Sequence, residues 1–278
     1  MPQIFFSIFL FIVGCCFGSF LSVFITRSVE GKKGIVGGRS SCPHCHKQLK
    51  IYNLIPLFSW LWQKGKCTFC HKAISPIYPA LELVTGLLFL NNFFFLQFGD
   101  FPILKYAELY SFWFWVKYTY LCLLNFSLLT LCFSDLLKQE IPNSFLMIWI
   151  LITLPFPILQ NLQGILTAPV LIDLSLALLS SLIFFGGQYV ISKGKWLGSG
   201  DIYIAIGMAL LLGFKLNILA IICSYLIGAA ISLILIFSQK IKAKKPIAFA
   251  PFLCLGTLIA IYVGNDLINW YYLSFINL

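Results

Sequence analysis

Charge is scarce in this sequence. Only 10% of its 278 residues are Asp, Glu, Lys or Arg, where a soluble domain carries about a quarter. Hydrophobic residues make up 60%. That excess is too large for one globular core and reads as membrane spans. Histidine is scarcer still. The three present, His44, His46 and His71, all lie in one cysteine-rich loop. A Ser–His or Cys–His nucleophilic pair therefore has no partner elsewhere in the chain. Acidic residues number nine: Glu30, Glu82, Asp100, Glu108, Asp135, Glu140, Asp173, Asp201 and Asp266. No glycine-rich nucleotide motif follows a strand pattern, and no internal repeat or low-complexity tract is evident.

What is present in excess is positive charge, with a net value of +10. The basic residues lie between apolar runs. That argues for cytoplasmic loops beside anionic lipid and against nucleic-acid binding. Eight apolar segments are predicted, at 4–25, 77–98, 112–134, 144–160, 170–192, 202–214, 216–238 and 247–264. Each except the sixth is long enough to cross a hydrocarbon layer of ~30 Å as a helix. The sixth is either a short span or part of a bent hairpin with the seventh. No basic region precedes the uncharged run from Ile4 to Ile25, so it is read as a retained helix and not as a signal peptide. With the N-terminus outside, 16 of the 19 Lys and Arg residues fall in inside loops. Lys105, Lys117 and Lys215 are left toward the outside. The expectation is an all-α polytopic membrane protein with about eight transmembrane helices and both termini outside. Its organisation would be a first transmembrane helix at 1–26, a cytoplasmic loop at 27–76 and a seven-helix membrane domain at 77–278. Cys15, Cys16, Cys122, Cys132, Cys223 and Cys254 sit in apolar runs and are read as packing residues.

The loop carries Cys42-Pro-His-Cys45, a 21-residue gap, and Cys67-Thr-Phe-Cys70. Two such pairs let four thiolates converge on one tetrahedral zinc ion. Such a zinc is structural, because protein fills all four positions and water has none. The neighbouring histidines are read as surface residues, with ligand substitution the alternative. The loop is the one sizeable soluble piece, and it is small enough to need a staple.

Two acidic residues fall together at the cytoplasmic boundary: Asp135 ends the third span and Asp201 begins the sixth. A carboxylate at a helix C-terminus faces the unfavourable end of the dipole, so Asp135 lacks a good structural reason beyond a solvated end. Asp201 has one, because it follows Gly198-Ser199-Gly200 and is placed to cap a helix. Those glycines suit a tight turn and close approach by a ligand. Two carboxylates at one boundary can share a proton and hydrolyse a peptide without a metal. Asp201, at a helix start, is expected to be the base toward water, with Asp135 carrying the shared proton. Glu82 is expected one to two turns inside the second span. It would either meet the substrate or hold helices together.

At this point the residues resemble a known family, the prepilin peptidases or type IV leader peptidases of the GxGD aspartyl protease group. Gly18-Ser19-Phe20-Leu21-Ser22-Val23, followed by Arg27, is similar to the GSFLNV signature, with Ser22 where the family commonly has Asn. The paired CxxC motifs follow. Tyr78-Pro79-Ala80-Leu81-Glu82-Leu83-Val84-Thr85-Gly86 is similar to YPxxELxTG. Asp135 with Ile141-Pro142-Asn143 is similar to the D…(I/L)P(N/D) motif, and Gly198-Ser199-Gly200-Asp201 to GxGD. The resemblance implies cleavage after the glycine of the short leader of type IV prepilins or pseudopilins, at the bacterial plasma membrane. It implies Asp135 and Asp201 as the catalytic pair. It also implies methylation of the new N-terminus from S-adenosylmethionine in the branch that keeps the cysteine loop. Two rival classes remain. One is a transporter with Asp135, Asp201 and Glu82 as a relay, although only Glu82 and Asp173 lie deeper in the segment pattern. The other is a non-enzymatic scaffold whose zinc loop docks a pilus-assembly partner.

Overall fold

The structure, a computed structural model, describes residues 2–29, 39–42, 44–98, 112–157, 168–238 and 247–275. Glu30, Asp100, Glu108 and the basic residues Lys32, Lys33, Lys105, Lys240, Lys242, Lys244 and Lys245 lie outside them. The helices are α1 (Pro2–Val29), α2 (Phe58–Trp62), α3 (Ile77–Phe98), α4 (Phe112–Lys138), α5 (Asn143–Thr153), α6 (Ala168–Ser192), α7 (Ser199–Phe237) and α8 (Ala250–Phe275). Among the described residues there is no strand, only the isolated bridges Ser41–Gln48 and Lys66–Ala73. The architecture is all-α and polytopic. Six helices, α1, α3, α4, α6, α7 and α8, are long and apolar enough to cross a membrane.

The chain forms two compact units, Met1–Thr130 and Leu131–Leu278, and the boundary falls within α4. In the first unit α1 packs along α3. Lipid tails give apolar helices little reason to associate, so close approach of small residues supplies the contact. Gly14 and Gly18 form a GxxxG stripe on α1. A Cβ added at Gly18 would lie 2.7 Å from the Glu82 Cα. Polar side chains add specificity: the buried Asn125 Nδ2 donates to Asn92 Oδ1 at 2.9 Å, joining α4 to α3.

In the second unit α7 packs against α5, α6 and α8. At 39 residues it would extend ~58 Å if straight, about twice the hydrocarbon thickness. It is not straight, because Gly213 takes φ 68°, ψ 178° and breaks it. The break frees the N–H of Phe214, which donates to Asp173 Oδ2 on α6 at 3.1 Å. The two arms of α7 are the sixth and seventh apolar segments, joined without a loop. The first arm, from Ser199 to Leu212, rises only ~21 Å and falls short of a full crossing. The fourth segment begins as the 11-residue α5, and its residues 158–160 lie outside the described ones.

Candidate active site

Asp135 lies in the last turn of α4 and Asp201 in the first turn of α7. These helix ends lie on the same side of the second unit, and the Asp135 carboxyl is close enough to act electrostatically on Asp201. Both are buried, at 9% and 8% exposure. Asp201 Oδ2 accepts the N–H of Gly198 at 3.1 Å, the half of a capping box supplied by the third helical residue. Asp135 Oδ2 accepts the N–H of Ala250 at 3.1 Å. Ala250 opens α8, where the first four N–H groups have no intrahelical partner. Each carboxylate therefore meets a helix N-terminus, and the helix-end asymmetry expected between the two is reduced. Among the described residues, Oδ1 of neither aspartate has a hydrogen-bond partner.

The floor beside the pair is apolar. Cys132 and Cys254 lie one turn from Asp135 and Ala250 respectively, and buried Cys254 is within electrostatic reach of both aspartates. Trp149, fully buried on α5, donates its indole N–H to the Ile204 carbonyl at 3.1 Å and fixes the first arm of α7. Gly198 is the N-cap residue at φ −75°, and Gly200 lies inside the helix. Neither holds a conformation reserved for glycine, and an added Cβ at either would meet only ordinary contacts, so the fold itself does not demand glycine there. A Cβ at Gly198 would stand 3.5 Å from Asp201 Oδ2.

The cysteines converge as their spacing requires. The four sulfurs of Cys42, Cys45, Cys67 and Cys70 lie within 4.8 Å of one another, with Cys42 Sγ 3.8 Å from Cys70 Sγ. A tetrahedral zinc with Zn–S near 2.3 Å holds its sulfurs about 3.8 Å apart, so the donor set fits that ion. The two knuckles are built alike. Cys42 N–H bonds to Lys47 O and Cys67 N–H to Lys72 O, and the following His46 and His71 both take φ 55°. The six-residue pattern Cys-x-x-Cys-His-Lys thus occurs twice, a short internal repeat that corrects the expectation of none. The histidines contribute backbone turns, and none belongs to the ligand cluster. Backbone N–H groups, of Cys70 first and Phe69 second, draw the Cys67 thiol down to about 7.

Glu82 is buried in the second turn of α3, in the first unit. Its Oε2 accepts the N–H of Leu57 at 2.8 Å. Leu57 sits at φ 62°, ψ −53°, and Phe58 N–H bonds to Pro56 O at 2.7 Å. That is a γ-turn of the rare, strained hand, held by the Glu82 carboxylate. Ser22 Oγ donates to the Ser19 carbonyl of its own helix at 2.7 Å.

Two family models match this chain. Residues 12–96 match the Bacterial Peptidase A24 N-terminal domain, and residues 122–233 match the Type IV leader peptidase family. The prepilin leader peptidase/N-methyltransferase of Bacillus subtilis (strain 168) is 30% identical over 94% of this chain and 96% of its own length. The chain belongs to the type IV leader peptidase family. The similarly named protein of Aeromonas hydrophila is 27% identical, covering 99% of this chain and 97% of that one. That of Myxococcus xanthus (strain DK1622) is 50% identical over a shorter stretch, 30% of this chain and 25% of its own length. No solved structure matches the chain. Membership of the family makes this chain a peptidase, and it is a multi-pass membrane protein. The family-like residues Asp135 and Asp201 meet in the second unit, while Glu82 and the four cysteines belong to the first. Sequence reasoning missed Ala250. Pro251, placed in the first turn of α8, marks a helix start at which a free N–H is expected.

Proposed function

We propose that this peptidase removes the leaders of type IV prepilins or pseudopilins, with Asp135 and Asp201 as the hydrolytic pair. The observation that carries this reading is their juxtaposition: two buried carboxyls, each with Oδ2 held by a helix N-terminal N–H and Oδ1 left for reactants. Asp201 takes a proton from water, and the water oxygen bonds to the scissile carbonyl carbon. Asp135 gives its proton to the carbonyl oxygen. The resulting gem-diol collapses as one of its hydroxyls returns a proton to Asp135, the C–N bond breaks, and the leaving amine takes the proton held by Asp201. Both carboxyls thereby return to their starting states. The uncrowded space at Gly198 suits the approach of an extended peptide backbone. The names of the relatives support the substrate class. Incubation of the purified protein with a prepilin precursor, followed by N-terminal sequencing of the product, tests it. A new N-terminus directly after the leader glycine supports the assignment, and an intact precursor contradicts it.

The distribution of Lys and Arg supports a cytoplasmic site with N- and C-termini outside, since 16 of 19 basic residues fall on the inner loops in that orientation. Cys42, Cys45, Cys67 and Cys70 would hold a zinc ion that closes the loop and takes no part in hydrolysis. The second half of the relatives' name brings N-methylation of the new terminus, with S-adenosylmethionine as methyl donor, into the proposal. A cavity of about 560 Å³ is lined by Ser180, Ile183, Phe184, Ile221, Tyr225 and their neighbours. The Ser180 hydroxyl is turned to the Ala177 carbonyl and that of Tyr225 to Gln188. This lining does not fit a charged amino-acid head with a ribose.

A further inference from the structure

The segment between the two cysteine knuckles is unlike the rest of the loop. From Ile51 to Gln63 it carries no charge. It is too short to span a bilayer and is of the length seen for interfacial pieces. It folds as a short 3-10 turn, Ile51–Leu54, and the helical turn α2. Its apolar side chains point outward: Ile51 is 87% exposed, Phe58 74% and Trp62 90%, and Tyr52, Ile55 and Leu61 are also exposed. Phe58, Leu61 and Trp62 stand at i, i+3 and i+4, one face of a helix. Trp60 turns the other way, with its indole N–H on the Ile74 carbonyl at 3.2 Å. A small soluble loop gains nothing from such a surface in water, because exposed aromatic and aliphatic side chains gathered in one place mark an interaction site.

Two observations say what covers it. Leu57, in the middle of the segment, gives its N–H to Glu82 in the second turn of α3 at 2.8 Å. The segment is thereby tied to the depth at which a transmembrane helix leaves the bilayer. Exposed lysines flank it on both sides, Lys47 and Lys50 before and Lys64 and Lys66 after. Lys50 Nζ lies over the Tyr52 ring at 5.8 Å. Trp, Tyr and Phe beside a rim of lysines is the composition of an interfacial membrane anchor. We propose that residues 51–62 lie in the lipid headgroup region of the leaflet that α3 enters, with the apolar face on acyl chains and the flanking lysines on anionic phosphates. The two knuckles are then held against the membrane surface by the Glu82 bond and the lipid together. This holds whichever precursor is cut.

The test uses the full-length protein in nanodiscs of phosphatidylcholine and phosphatidylglycerol, with an environment-sensitive fluorescent amino acid at position 62. A brominated acyl chain reports lipid contact and iodide reports water contact. The expected result is loss of most emission with bromolipid and little loss with iodide. The same probe at position 60, expected to be shielded from both, reports that the loop is folded. Quenching at 62 by iodide and not by bromolipid overturns the proposal. Shielding at 62 from both quenchers also overturns it, because a protein surface and not lipid then covers the segment.

Discussion

The carboxylate of Asp135 accepts the backbone N–H of Ala250, 115 residues away in the chain, at 3.1 Å. One bond thus ties the last turn of α4 to the first residue of α8 and sets where Oδ1 points. Ala250→Pro removes the donor at a helix position where proline is tolerated. Asp135 becomes charged only as it gives up its proton, so this bond strengthens in the reaction. A hydrogen bond to a charged group contributes about 1.5–3 kcal/mol, and processing should fall by roughly tenfold or more. Ala250→Gly keeps the N–H and should stay near the parent rate. Initial rates on one precursor, with circular dichroism to verify helix content, decide it. Equal rates for both variants would remove the bond from the account.

The four-cysteine centre should hold one zinc per chain, measurable by elemental analysis of reduced, metal-replete protein. Thiolates must form for the ion to bind, so binding releases protons and affinity falls as pH is lowered. Cys45→Ser or chelation should open the loop, seen as faster amide exchange at 40–74, while the helices keep their protection. A stoichiometry near zero would contradict the assignment.

Glu82 is expected to act as an acceptor for the Leu57 N–H, not as a charge in the reaction. Glu82→Gln keeps a carbonyl oxygen there and should leave cleavage close to the parent rate. Glu82→Ala leaves the strained γ-turn unsupported and should speed amide exchange at Leu57. Loss of cleavage in both variants, with Leu57 still protected, would assign Glu82 a chemical role instead.

At the break in α7, Asp173→Ala removes the acceptor for Phe214, and the loss of a helix cap costs about 0.5–2 kcal/mol. Gly213→Ala should be worse, because φ 68° strains any side chain and the added Cβ would run into the Asp173 carboxylate. Thermal unfolding in detergent should show both midpoints lowered, Gly213→Ala the more. An unchanged midpoint for Asp173→Ala would mean that water or lipid headgroups satisfy Phe214.

These residues also show what the sequence could and could not reveal. Span length is a one-dimensional property set by bilayer thickness, so the six long helices were legible as apolar runs. The convergence of the four cysteines was legible because each CxxC knuckle is local. Asp201 was legible as a cap for the same reason, its partner being three residues away. Asp173 could be placed at membrane depth, but its partner, an N–H exposed by a break 41 residues on, could not. Ala250 was invisible as a partner of Asp135, since a backbone donor leaves no side-chain signature. The loop at 27–76 read as soluble from its flanking lysines. Its uncharged centre gains meaning only once Leu57 is seen bonded to a transmembrane helix.

The most direct test of the central claim is single-turnover cleavage of one prepilin precursor by the parent, Asp135→Asn, Asp201→Asn and the double variant, all reconstituted in the same lipid. Residues that act on one proton and one water are not additive. Each single substitution should therefore lower the cleavage rate by at least ~10²–10⁴, the range for a positioned acid or base. The double variant should be little worse than either single one, with helix content and zinc stoichiometry unchanged throughout. A variant lacking either carboxyl that still processes precursor near the parent rate would contradict the paired-aspartate account.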